Sequence, residues 1–176
     1  MVQTGKFMQT TSEHIIDERE VWRLLEEVCD PEVPVLSILD LGIVRDVVIT
    51  SPSPFMEKGL GVEVFITPTY SGCPAMDAIS VDIKMKLLEH NFKNIKITHI
   101  LSPAWTTDWM SEAGKQKLKD YGIAPPQFST EKNHVVACPQ CHSENTKLLS
   151  QFGSTACKAL YQCQDCKEPF DYFKCH

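Results

Sequence analysis

A chain of 176 residues with 43% hydrophobic content can bury one domain of ordinary size and a small accessory module. A net charge of -6 with no basic stripe argues against a nucleic-acid or acidic-membrane binder, because phosphate contact needs clustered Lys and Arg. The opening MVQTGKFMQTTSEHIIDE lacks the order of a secretory signal and no apolar run is long enough to span a bilayer; a cytoplasmic protein is expected, whose eight cysteines are thiols or metal ligands rather than disulfides.

Asp17 and Glu20 have capping-box spacing, and Val21, Leu24, Leu25 and Val28 share one helical face until Asp30-Pro31 stops the first helix. Cys29, at the end of this helix, is expected in the core. Residues 43–50 and 61–67 read as strands joined by SPSPFMEKGL. A second helix over 75–90 buries Met76, Ile79, Ile83 and Leu87; residues 94–101 form a third strand, and a helix over 111–121 ends at Gly122, a good residue for the position after a helix. The order predicts an α+β fold, a small mixed sheet with helices packed on one face. APPQFSTEKN, 124–133, reads as a partly stiff linker between a first domain over 15–123 and a cysteine-rich module over 134–176.

In TPTYSGCPAMD, Pro74 suits the first helical position, which makes Cys73 the N-cap of the second helix. A thiol facing free backbone N–H groups and the positive end of the helix dipole is expected to favour its thiolate. A small packed side chain is the alternative.

In the last module, CPQC at Cys138 and Cys141 and CQDC at Cys163 and Cys166, 21 residues apart, have the spacing of a closed tetrahedral site. The module is expected to be a zinc-ribbon β module with strands in VVA, KLLSQF, ALYQ and FDYFK, and its core is too small to fold without a metal. Zinc is the first choice; one iron in the same four thiolates is the other. Cys157 and Cys175 are left over. With ALYQ as a strand, Cys157 lies about 20 Å from Cys163 at roughly 3.3 Å per residue, and Cys175 leads away from the tetrad, so both belong at the far end of the ribbon. Flanking Lys158 and Lys174 would favour thiolates there, and with His176 the two make a possible second, open site. Phe170, Tyr172 and Phe173 read either as partner contacts or as a core stripe.

DPEVPVLSILDLGIV, TPTYSGCP and SPAWTTDWMSEAGKQKLKDYGI together resemble the family of small iron-sulfur assembly factors over about residues 18–123. With FGSTACKALYQCQDCKEPFDYFKCH added, the whole chain resembles an accessory-subunit family of the multicomponent phenylacetyl-CoA epoxidase, the ring 1,2-epoxidase of aerobic phenylacetate degradation. The resemblance implies a maturation factor that assists assembly or delivery of iron or an iron-sulfur cluster, binding it transiently, with the subunits of that complex or its reductase as partners and no turnover chemistry of its own. The family's marked positions fall on Asp30, Glu32 and Cys73. Physically, a thiolate with nearby carboxylates offers iron a mixed soft and hard ligand set; Asp30 serves equally well as a helix stop, and Glu32 as a solvated carboxylate. An electron-transfer or thiol-redox subunit of the same complex, or a docking scaffold, is the alternative.

Overall fold

The computed structural model describes residues 18–50, 61–126 and 135–174. Helix α1 (Glu18–Glu26) turns Val21, Leu24 and Leu25 inward. It ends earlier than its apolar period suggests: Glu27 and Val28 donate to the carbonyls three residues back, a tightened last turn. Asp30 stands before a proline, which excludes it from the helical region. Asp17, half of the expected capping box, lies outside the described residues.

Strands β1 (Val44–Thr50), β2 (Gly61–Ile66) and β3 (Asn94–His99) form a sheet of order β1-β2-β3. β1 runs antiparallel to β2, and β2 runs parallel to β3 through helix α2 (Ala75–Glu89), which gives the expected mixed sheet. A bulge between Val44 and Asp46 lets Val44 and Val47 both reach the buried side, opposite Ile66 and Val64. α1 packs on α2 and β1, and α2 on β3. A short 3-10 turn (Thr107–Trp109) leads into α3 (Glu112–Asp120), which Ser111 caps by accepting the Gly114 N–H. Gly122, at φ 90°, closes α3: its N–H reaches the Lys119 carbonyl and that of Ile123 reaches Leu118, the paired bonds of a Schellman end.

The second sheet has antiparallel order β4 (Thr146–Ser150), β5 (Lys158–Cys163) and β6 (Pro169–Phe173). Residues 135–137, expected as a strand, are irregular. Ala124, expected in the linker, bridges to Tyr172, donating to the Asp171 carbonyl and accepting from the Phe173 N–H. The ribbon's own core is small: Val136, Cys138, Cys163 and Phe170 with Ala124, flanked by Tyr161 stacked on Phe170. Phe173 and Cys157 instead join the core of the first sheet, where Phe173 meets Trp105 edge-on. The aromatic stripe is therefore core, with Phe170 and Phe173 buried. No helix among the described residues is long and apolar enough to cross a membrane.

Candidate metal sites

The two CxxC turns have the same geometry. In each, the residue after the second cysteine adopts the left-handed region, His142 at φ 61° and Lys167 at φ 68°, which folds the chain back so that backbone N–H groups face sulfur. Ser143 directs its N–H at Cys141, Glu168 directs its own at Cys166, and Cys163 receives those of Cys166 and Asp165. The bonds from Cys166 and Asp165 hold the Cys163 thiol down at about 7. The Asp165 carboxylate ties the knuckles together by accepting from Ser143 Oγ and, at 2.8 Å, from Asn145 Nδ2.

The four sulfurs lie within 4.8 Å of one another, with Cys138 to Cys166 at 3.8 Å and Cys141 to Cys163 at 3.5 Å. A tetrahedral ion with bonds of about 2.3 Å needs sulfurs about 3.8 Å apart, so this donor set fits one metal ion with every position taken by protein. Cys138 and Cys163 are buried, Cys141 and Cys166 exposed.

A second cluster of thiols and carboxylates lies where the ribbon meets the first sheet. Asp30 Oδ1 accepts the N–H groups of Glu32 at 2.6 Å and Val33 at 3.0 Å, which fixes the backbone that carries Glu32. Burial raises the Asp30 carboxyl, with those two N–H groups and the Lys158 charge opposing. From the ribbon, Cys157 Sγ reaches Glu32 Oε2 at 3.6 Å and Thr155 Oγ1 at 3.0 Å. Lys158, only 5% exposed, directs Nζ at the Glu32 carbonyl, 3.5 Å away, and at Asp171 Oδ2, 4.0 Å away.

Cys73 lies just ahead of α2, and the charges of Glu32 and Asp30 act on its thiol. The assigned helix starts at Ala75, yet Pro74 already has helical angles, φ −69° and ψ −21°, and the Ala75 N–H faces the Cys73 sulfur as it would a capping atom. The expected thiolate does not follow. Burial raises the Cys73 thiol; the Ala75 N–H and the Tyr70 hydroxyl pull it down, Glu32 and Asp30 push it up, and the net is upward. Cys157 is corrected in the same direction: burial and the carboxylates push it up to about 11 against Thr155 and Lys158, whose ammonium is shared with Glu32 and Asp171. Lys174 is occupied as well, donating to the Gln151 carbonyl and lying over the Phe152 ring. Burial raises the Tyr70 hydroxyl, reinforced by Cys73, Glu32 and Cys157.

Cys29 is exposed rather than in the core, because the chain has left the helix and pairs with Ser37 in an isolated bridge. Cys175 and His176 lie outside the described residues. Sequence spacing brings Cys157 to the right end of the ribbon but not to Glu32, 125 positions away; no periodicity links the two. Also missed was Asp40, which accepts from Ser37, from Ser111 Oγ at 2.9 Å and from Lys117 Nζ at 2.6 Å, locking α3 to the loop before β1.

An iron-sulfur cluster assembly protein family matches residues 18–91, and the PaaD zinc beta ribbon domain matches residues 123–174. A protein of Escherichia coli (strain K12), provisionally named as a subunit of 1,2-phenylacetyl-CoA epoxidase, is 46% identical over 89% of this chain and 92% of its own. An Fe-S protein maturation auxiliary factor of Porphyromonas gingivalis (strain ATCC BAA-308 / W83) is 33% identical over 65% of this chain and 95% of its own. A crystal structure of a domain of unknown function from Bacillus anthracis covers 57% of this chain and 90% of its own at 29% identity, with a TM-score of 0.49.

Sheet, ribbon and cysteine tetrad together define a class: an iron-sulfur-assembly α+β unit joined to a metal-binding zinc ribbon. Within that class, the chain belongs to the family of PaaD-type subunits of phenylacetyl-CoA epoxidase.

Proposed function

We propose that the chain is an accessory maturation factor of the multicomponent phenylacetyl-CoA epoxidase, assisting the assembly or delivery of iron or an iron-sulfur cluster to another subunit or to the reductase. One observation carries this reading: a chain that resembles an epoxidase subunit over nearly its whole length matches, over residues 18–91, the iron-sulfur cluster assembly family. In this reading the first unit, 15–123, handles the cargo, and the ribbon, 134–176, docks and holds it. Cys73 is the thiol that receives iron, and Glu32 is its nearby carboxylate. Asp30, whose oxygen is committed to backbone N–H groups, positions Glu32.

The tetrad of Cys138, Cys141, Cys163 and Cys166 takes zinc, because a closed four-thiolate set with little core around it suits an ion that contributes folding free energy and no redox change. The same reading takes Cys157, Cys175 and His176 as a possible second, open ligand set apart from the tetrad.

The experiment is production of the epoxidase components in cells beside the wild-type chain or Cys73→Ala, followed by iron, acid-labile sulfide and activity measurements on the purified components. The reading expects components made beside the variant to be short of iron or cluster. Fully loaded, fully active components would refute it.

A further inference from the structure

We propose that the outer face of α2 is a docking surface for an amphipathic helix of a partner protein, apolar along one side and bordered by Lys or Arg. That this partner is a client loaded at Cys73 rests on the maturation reading above; the surface itself rests on the helix.

Helix α2 is apolar on two sides. Met76, Ile79, Ile83 and Leu87 are buried against the first unit. Ala78, Val81, Met85 and Leu88 are exposed on the opposite side, the last three each by 54%. Steps of three, four and three residues put these four on one stripe, about 15 Å long at 1.5 Å per residue. A surface helix needs one apolar side to pack, and a helix apolar all round belongs in an interior. Three large apolar side chains half in water on a single stripe therefore mark an interaction site rather than scattered exposure.

The stripe borders a groove. Met85 lines a cleft of about 300 Å³ beside the end of α1, shared with Glu27, Val28, Asp82 and Glu89. A ridge of partner side chains laid along the stripe has this groove to enter.

Charge selects the occupant. Lys86 is held by Glu27 at 3.0 Å, and Arg23 by the same carboxylate at 3.2 Å. Among the described residues no ion pair answers Asp82 or Glu89, which are exposed and stand two turns apart along one side of the stripe. Two cations two turns apart on a facing helix would meet them. An anionic lipid surface is repelled by the same carboxylates. A second copy is disfavoured as well, since a two-fold contact presents one surface to itself and this one carries Asp77, Asp82 and Glu89 against Lys84.

The placement suits delivery. Helix α2 begins two residues after Cys73, so Ala78 lies about 7–8 Å of helix rise beyond that thiol. A protein held along the stripe has its surface beside half-buried Cys73 and its exposed neighbours Gly72 and Pro74.

The test places a photo-crosslinking residue at Met85 of the full, zinc-loaded chain and mixes it with each purified epoxidase component. A crosslink to one component, mapped to a helix with Lys or Arg beside its apolar stripe, is expected. Val81→Glu and Leu88→Glu should each weaken affinity for that component at least about tenfold, the scale of a central contact residue. The melting temperature should stay unchanged, because both side chains already face water. Asp82→Lys and added salt should each weaken binding too. Undiminished affinity in both glutamate variants overturns the proposal, as does the absence of any crosslink or a crosslink to an acidic segment. A wild-type dimer that Val81→Glu dissociates overturns it in favour of a second copy, and a crosslink from Met85 to residues 1–17 overturns it in favour of the chain's own N-terminal segment.

The cellular Cys73→Ala assay judges maturation separately. Starved components beside Cys73→Ala, with normal binding by Val81→Glu, sink the surface and leave maturation standing. Loaded components beside Cys73→Ala, with binding lost in Val81→Glu, do the reverse.

Discussion

Phe173→Ala tests whether the ribbon is built into the first unit or merely tethered to it. The ring is 2% exposed and meets Trp105 edge-on, with centroids 6.3 Å apart and planes at 76°. Truncating a buried phenylalanine costs about 3–5 kcal/mol, of which about 0.5–1.5 kcal/mol is the ring pair. For a chain of this size that is a fall in melting temperature of roughly 6–20 °C. The tetrad should survive, because Phe173 pairs with Lys158 at the start of β5 and Cys163 ends that strand. Denaturant unfolding of zinc-loaded wild-type and variant chains measures the cost, and alkylation of Cys157 measures the release of the junction. A loss below about 1 kcal/mol with unchanged Cys157 protection would refute the shared core, since no buried phenylalanine in contact with a second ring is removed so cheaply.

Asp40→Asn should cost about 2 kcal/mol, the scale of charged hydrogen bonds, because Lys117, Ser37 and Ser111 all converge on this carboxylate. Burial raises the Asp40 carboxyl, but its partners outweigh burial and the net is lowered; the difference between wild type and variant should therefore be full above about pH 4 and vanish as pH falls through the lowered folded value, as denaturation across pH would show. Gly42→Ala should destabilise by at least about 2 kcal/mol, because Gly42 sits at φ +66° and an added Cβ would stand 2.0 Å from the Trp109 carbonyl oxygen; an unchanged unfolding midpoint would contradict that approach. Cys163→Ser should lose the ribbon metal, expose residues 134–176 to protease and also lower the melting temperature of the first unit, which loses Phe173 and Cys157 from its core. Full metal content with a protease-resistant ribbon would contradict it.

Helix α2 was legible because Met76, Ile79, Ile83 and Leu87 repeat at helical spacing behind a Gly-Cys-Pro start, and all four are buried. The tetrad was legible because CxxC spacing fixes both knuckles locally. The bulge in β1 left no sequence mark, and α1 stopped before its apolar face did, since Val28 stays buried in a non-helical turn. The thiols of Cys73 and Cys157 illustrate the limit more sharply. Local chemistry, a helix start for one and neighbouring lysines for the other, argues for thiolates. The tertiary arrangement buries Cys157, half-buries Cys73, and raises both thiols through burial and the charges of Asp30 and Glu32. For Cys157 that reversal depends on the ribbon docking against a loop 125 positions away, which no window of sequence contains; for Cys73 it depends on burial and on carboxylates in a distant loop of the same unit.

The central claim is that the protein acts before turnover, on the making of a metal centre elsewhere. It is tested by maturing the epoxidase complex beside this chain, removing the chain from the purified complex, and measuring phenylacetyl-CoA epoxidation with reductant. The account predicts that activity persists without it. Activity that disappears on removal and returns when the chain is added back would contradict the account and make this protein a working part of the catalytic cycle.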